Sequence, residues 1–304
     1  MKVLLSHKLA PEVKGIGFMT IAVALIAVMN MFSKLATDYH DPVEKVFYRG
    51  IVALILVVSI ILITKKYDAF KTKRPMGQLA RGVAGTVGLG LVYWAYSLMP
   101  MTEVTALMFT GGFMTLLISP LILGEKVGPY RWAAVVIGFV GAVIIAQPSS
   151  ENFNPEGVFA SLSAAFVGGA LIAVFLRSLG KTDSAFTTVF YFLFIGTVMT
   201  TPYMFLYGSW MHPDAVLALL GMGIAGGISL LVKTEAYRHA EASLLSPIHY
   251  TAIVWAVIFD LMIWQSTPSV IVIVGASIVI ASNLFILWRE QSKKKNEVLI
   301  EPAE

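Results

Sequence analysis

Cysteine is absent from all 304 residues, which excludes disulfides, thiolate metal centres and cysteine nucleophiles. Charge is scarce as well. Asp, Glu, Lys and Arg supply 13% of the chain, against roughly 25% in an ordinary soluble domain. Zinc-protease, nucleophile-elbow, Walker and EF-hand patterns are missing. The five histidines, His7, His40, His212, His239 and His249, are scattered along the sequence. No enzyme, cofactor or metal site is therefore expected. The net charge of +4 is small, and nothing suggests a nucleic-acid partner.

In place of charge the chain has apolar sequence, at 57% of its residues and a mean hydropathy of +0.79. The apolar residues come in blocks of about 20, long enough for a helix to cross ~30 Å of hydrocarbon. Backbone in lipid must satisfy its own hydrogen bonds, so such blocks become helices. A closed barrel would alternate apolar and polar residues, and no such alternation is present. The expectation is an all-α membrane protein with ten transmembrane helices, at about 15–36, 45–64, 78–98, 101–123, 130–147, 157–178, 186–206, 215–237, 243–263 and 269–289, with boundaries uncertain by ~2–4 residues. The connections are short, so no soluble domain is expected.

With the N-terminus in the cytoplasm, all but three of the 22 Lys and Arg residues fall on the cytoplasmic side. The exceptions are Lys34, Lys45 and Arg49. This asymmetry sets the orientation and supports the span count, because one missed helix would scramble it. Both termini are expected to be cytoplasmic. Met1–Lys14 has too short an apolar stretch for a cleavable signal and reads as a cytoplasmic N-terminal segment (1–14). The polar stretch 290–304 reads as a disordered cytoplasmic tail.

The chain repeats itself. Phe32-Ser33-Lys34 and Val46-Phe47-Tyr48 align with Phe175-Leu176-Arg177 and Val189-Phe190-Tyr191 at an offset of 143. Ala95-Tyr96 aligns with Ala236-Tyr237 at 141, and at that offset Gly82 and Gly85 meet Gly223 and Gly226. The repeats are 15–147 and 157–289. Five spans is an odd number, so the second copy enters the membrane upside down and the fold is two inverted five-helix repeats. Such halves can each close one end of a shared cavity and alternate access to it.

The first half carries Tyr93-Trp94-Ala95-Tyr96, Glu103-Val104-Thr105-Ala106-Leu107 and Leu123-Gly124-Glu125-Lys126. The second carries Ala236-Tyr237-Arg238-His239-Ala240-Glu241-Ala242-Ser243, Ser246-Pro247, Tyr250-Thr251 and Val254-Trp255, then Gly275-Ala276-Ser277 in the last span. In these segments the sequence resembles the EamA type of the drug/metabolite transporter superfamily, and it departs from that family at Trp264-Gln265-Ser266, where Gly-Glu is usual. The resemblance implies a small-molecule carrier of the bacterial inner membrane, with spans three and eight at the central cavity. The superfamily handles amino acids, nucleotide sugars, drugs, S-adenosylmethionine, vitamins and polyamines. Val46-Phe47-Tyr48-Arg49-Gly50 and Ala236-Tyr237-Arg238 look most similar to bacterial metabolite carriers, including the branch that takes up S-adenosylmethionine.

Candidate substrate-binding residues follow from depth and type. Lys233 lies about four residues inside span eight and can snorkel, or face the cavity and bind a substrate carboxylate or phosphate. Glu235 points elsewhere and can pair with Arg238 or His239. Tyr93, Trp94, Phe109, Tyr191, Tyr250 and Trp255 form an aromatic set. Phe109 and Tyr250 are repeat-equivalent, and a midplane Trp255 could stack on a flat or cationic substrate. Asn30, Thr110 and His249 add polar contacts. Lys34, Tyr48, Arg49 and Arg177 read as interface anchors, and Glu103 and Asp260 as exposed at span ends. No carboxylate reaches the midplane, which weakens coupling through a central acid. A membrane-embedded enzyme or lipid-handling protein is the alternative, and would need histidines and carboxylates clustered at one depth. A receptor would usually bring a soluble domain or seven spans. The expected partners are a small-molecule substrate and the lipid bilayer, and the chain is compatible with a monomer or a homodimer.

Overall fold

The structure is a computed structural model that describes residues 11–111, 113–114, 129–147, 153–179, 182–239 and 245–300. Its helices are α1 (Pro11–Leu35), α2 (Pro42–Ile63), α3 (Pro75–Leu98), α4 (Met101–Met108), α5 (Pro129–Ala146), α6 (Pro155–Ala164), α7 (Ile172–Leu179), α8 (Ala185–Leu206), α9 (Val216–His239), α10 (Ala252–Ile263) and α11 (Val270–Ile300). A π-helical segment, Ala165–Leu171, joins α6 to α7, and the three together make the sixth span. A 3-10 turn, Ser246–Thr251, leads into α10. The described residues contain no strand.

Local sequence explains the helix starts. Proline occupies the first turn of α2, α3 and α6, where its missing N–H would have had no helical partner anyway. Asp41 caps α2 by accepting from the N–H groups of Val43 (2.7 Å) and Glu44 (3.0 Å). Glu44 returns the favour by accepting from the Asp41 N–H at 3.4 Å. Such a capping box is worth about 1 kcal/mol. At ~1.5 Å per residue, the 22 residues of α2 and the 22 of α8 are long enough to cross a bilayer. The described parts of α1, α2, α8 and α9 are both long and apolar enough to do so.

The contacts between helices are symmetric when the halves are exchanged. The first span packs on the eighth (α1 on α9), and the sixth packs on the third (α6 and the π segment on α3). The second packs on the eighth (α2 on α9), and the seventh on the third (α8 on α3). The second also meets the seventh, the fourth the ninth and the fifth the tenth, each helix thus facing its own repeat-mate. Glycines make the approaches close. A Cβ on Gly82 would lie 2.8 Å from Ile195, and one on Gly223 would lie 2.4 Å from Val52. The glycines are equivalent at offset 141, and Val52 and Ile195 at 143, so one contact is made twice. The fold is two inverted five-helix repeats, as the sequence indicates.

Three details differ from expectation. The first helix begins at Pro11, and the last runs to Ile300, well into the stretch expected to be disordered. Residues 289–297 are mostly Arg, Glu, Gln and Lys, which are good helix formers, so the polar extension keeps helical geometry. The π segment is the third. It brings Gly168 against Gly88 and Gly169 against Gly111, where a wide backbone turn needs glycine on both sides. The motif residues 123–126 and 240–243 lie outside the described residues.

Candidate functional site

The sequence splits the bundle into an end rich in Lys and Arg, carrying the connection 64–74 and the start of α8, and an opposite end carrying 36–41, 207–215 and 264–269. Arg49 lies two turns into α2 from the opposite end, ~10 Å deep at 1.5 Å per residue. Arg81 lies about as deep into α3 from the basic end. They converge on one ring: the Arg49 guanidinium carbon is 5.5 Å from the centre of Phe192, and that of Arg81 is 4.1 Å from it. Arg49 and Arg81 are only 4% and 7% exposed.

The repeat explains the room they occupy. Phe192 is the equivalent of Arg49 at offset 143, and Gly85 is the equivalent of Gly226 at 141. A Cβ on Gly226 would meet Arg49 Nε at 3.0 Å, and one on Gly85 would meet Phe192 at 2.8 Å and Arg81 Nη1 at 3.2 Å. Each glycine makes space for the large residue at the equivalent position of the other half. Arg49 and Phe192 thus meet across the pseudo-twofold axis.

This centre is rich in unused donors. Arg49 Nε, Arg81 Nε and Nη1 and the Tyr93 hydroxyl are buried with no hydrogen-bond partner. Arg49 interacts electrostatically with Tyr93, Arg81 with Arg49 and Lys233, and Lys233 with His249. Among the described residues, no carboxylate forms an ion pair with Arg49, Arg81 or Lys233. A void of about 10 Å³ lies beside Arg49, Thr86 and Phe192, roughly the size that admits one water. Val46 and Thr86 also line a wider crevice of about 520 Å³ between α2, α3 and α8. It runs past Trp94 to Asp41 and Tyr203, and its size is within the ~300–1,000 Å³ range of small-molecule sites.

Polar ties close the opposite end around this centre. Asp260, 1% exposed, accepts from the N–H groups of Met101 (3.1 Å) and Thr102 (2.7 Å) and from the Thr102 hydroxyl (2.8 Å). Lys34 sits 3.7 Å from Asp260 and donates to the Met99 carbonyl at 3.0 Å. Glu44 accepts from the N–H (2.5 Å) and hydroxyl (2.9 Å) of Ser209 and lies 2.7 Å from His40 Nδ1. At the basic end Asp183 accepts from the Thr72 hydroxyl, the Lys73 N–H (3.0 Å) and Gln78 Nε2 (2.8 Å).

Of the residues singled out from sequence, Tyr93, Lys233 and His249 belong to the central group. Asn30 donates to the Tyr96 hydroxyl at 3.2 Å and keeps a buried, unpartnered Oδ1. Trp94 lines the crevice. Phe109 and Tyr250 meet edge to face at 5.0 Å, as their repeat equivalence suggests. Thr110 bonds its own helix at the Leu107 carbonyl. Tyr191 is turned away from the centre, its hydroxyl donating to the Phe70 carbonyl at 3.0 Å. Trp255 packs beside Phe259 and the cluster of Met19, Ala22 and Val23. Glu235 faces His239 at 3.6 Å.

The interface readings of Tyr48, Arg49 and Asp260 are corrected: all three are buried. Burial is possible because Tyr48 donates to the Ser209 carbonyl at 2.5 Å, Asp260 collects three donors, and Arg49 rests on glycine and an aromatic face. Sequence reasoning missed Arg49, Arg81 and Phe192 as a group. The signal was present in the repeat, since Arg49 and Phe192 share the 143-residue offset.

The profile of the EamA-like transporter family matches residues 13–147 and 156–288. The chain is 27% identical to an S-adenosylmethionine uptake transporter of Rickettsia bellii, over 93% of this chain and 97% of that one. It is 30% identical to an uncharacterized transporter of Helicobacter pylori, over 90% and 94%. It is 25% identical to the pseudopaline exporter of Pseudomonas aeruginosa, over 88% and 94%. A solved crystal structure superposes with a TM-score of 0.63 at 15% identity, covering 88% of this chain and 94% of the other, a likeness of fold.

Proposed function

Because the chain belongs to the EamA-like transporter family, we propose that it carries a small organic metabolite across the bacterial inner membrane by alternating access, with the basic end and both termini in the cytoplasm. The observation that carries this reading is the doubled contact at the centre. Gly226 against Arg49 and Gly85 against Phe192 are one interface made twice, upside down. An interface of that kind has two related arrangements, one closing each end. The charge asymmetry of the connections supports the orientation.

Substrate binds where α2, α3, α8 and α9 converge, against Arg49, Arg81, Tyr93 and Lys233, beside the Phe192 ring that both arginines approach. Asn30, Trp94 and His249 line the approach. Phe109, Thr110, Tyr191, Tyr250 and Trp255 hold the helices around it. The relatives' names offer S-adenosylmethionine and pseudopaline as candidate cargoes, one taken up and one exported. They differ in cargo and in direction, so membership of the family fixes neither.

The absence of native cysteine makes the test clean. A single cysteine at Thr86, beside the central void, is labelled with an impermeant maleimide from either face of proteoliposomes. The expected result is labelling from one face at a time, with transported substrate shifting the balance, alongside saturable flux. Equal labelling from both faces whatever is added, with no saturable flux of any metabolite, would overturn the reading.

A further inference from the structure

We propose that the centre is an oxyanion site, so that the favoured cargo carries net negative charge, at least one carboxylate or phosphate lying between Arg49 and Arg81. This rests on the carrier reading above and narrows it to a substrate class. Two guanidinium groups lie against the ring of Phe192, on side chains both more than nine-tenths buried. Three of their nitrogens and the Tyr93 hydroxyl are buried donors with nothing to donate to. The three guanidinium nitrogens can only donate and the Tyr93 hydroxyl can donate or accept, so an acceptor satisfies all four. Guanidinium forks match the two oxygens of a carboxylate or phosphate.

Charge counting selects among cargoes. Arg49 and Arg81 bring two positive charges, with Lys233 beside Arg81, and no ion-paired carboxylate among the described residues. The buried like charges repel one another, and leaving them uncompensated in a low-dielectric interior is costly. A dianion relieves most of that, and a zwitterion relieves little. S-adenosylmethionine, with a sulfonium and an ammonium against one carboxylate, adds to it. The site therefore favours dicarboxylates or phosphorylated anions over the cargo named for the Rickettsia relatives.

The test uses the full-length carrier in detergent and two independent readouts. The first needs no ligand. Replacing an unpaired buried cation removes a strain, so Arg49→Gln and Arg81→Gln are each expected to melt at or above the wild-type temperature. The second uses glutarate, inorganic phosphate and S-adenosylmethionine as probes in melting titrations. Glutarate or phosphate is expected to stabilise the wild type at concentrations at least tenfold lower than S-adenosylmethionine, and both variants are expected to lose that response tenfold or more. Response to phosphate over glutarate assigns the phosphoryl class, and the reverse the carboxylate class. The proposal is overturned if both variants melt several degrees below wild type. It is equally overturned if S-adenosylmethionine stabilises wild type and variants alike more strongly than either anion. In that second case saturable flux of S-adenosylmethionine would leave the carrier reading standing. Absence of any flux with stabilised arginine variants would instead remove the carrier reading and keep the anion site.

Discussion

Tyr48 and Tyr191 stand at the same place in the two repeats and make the same kind of bond at opposite ends of the bundle. Tyr48 ties α2 to the connection before α9 through the Ser209 carbonyl, and Tyr191 ties α8 to the connection before α3 through the Phe70 carbonyl. Around these twin pins the chemistry diverges. The opposite end adds buried ionisable groups: Asp260 at 1% exposure, Glu44 at 4% and Lys45 at 0%. Among the described residues, the basic end relies on the half-exposed carboxylate of Asp183, with hydroxyl, amide and N–H partners. Breaking a buried charged group's contacts costs about 3–5 kcal/mol, whereas an exposed one costs about 0–1 kcal/mol. Equivalent geometry with unequal chemistry biases a symmetric machine: the basic end parts more cheaply. The π segment of the sixth span adds to this, because the equivalent stretch of α1 is regular helix.

The largest test of this comparison is Asp260→Ala. It strips three donors and Lys34 of their acceptor at once, so a loss of about 3–5 kcal/mol is expected. Thermal unfolding of the purified protein measures it. A loss under about 1 kcal/mol would mean that the opposite end is no more firmly held than the basic one. Glu44→Gln comes next, at about 2 kcal/mol. The amide keeps the shape but weakens acceptance from Ser209 and the contact to His40. Faster labelling of a single cysteine at Thr86 from that end is the accompanying sign.

Much of this frame was legible in the sequence, and the reasons are physical. Apolar blocks of bilayer length leave helices as the only solution, and the alternation of basic connections counts them. The two offsets revealed the inversion because glycine contacts are constrained by sterics, so Gly82/Gly223 and Gly85/Gly226 persist in both copies. The centre was harder to read. Arg49 and Arg81 lie only two turns from helix starts, where arginines usually snorkel, and sequence position cannot separate snorkelling from facing inward. Asp260 posed the same problem, since its donors come from Met101 and Thr102, far away in sequence. Tyr191 and Trp255 pose the converse problem. Depth alone does not separate an aromatic that lines a cavity from one that packs between helices.

A smaller effect sharpens the symmetry itself. Gly82→Ala and Gly223→Ala overfill equivalent contacts, and each is expected to cost about 1–3 kcal/mol. Gly223→Ala is expected to cost more, because its Cβ would lie 2.4 Å from the branched Cβ of Val52, whereas the nearest atom to Gly82, at 2.8 Å, includes the mobile Ile195 Cδ1. Both variants are expected to slow flux more than they lower stability, because the contact must slide in every cycle. If one glycine tolerated alanine with full flux, only one of the two interfaces would move.

The smallest expected effect is at Asp183, and its sign can be worked out. Partial burial pushes the carboxyl up, but donors from Thr72, Gln78 and the Lys73 N–H, with the Lys73 charge, outweigh that and hold it below its ordinary value of 3.8. A carboxyl depressed in the folded state stabilises fully above its unfolded value, and that contribution is lost as pH falls through the folded one. The group is half-exposed and screened by solvent, so the contribution is small. Hydrogen exchange across residues 71–74, corrected for intrinsic rates, is expected to hold steady from pH 7 to about 4 and to quicken below that. In Asp183→Asn the same amides are expected to exchange quickly at every pH, while those around Ser209 stay protected. Loss of protection at both ends together would mean that the two ends are coupled rigidly, and the basic end could not open before the other.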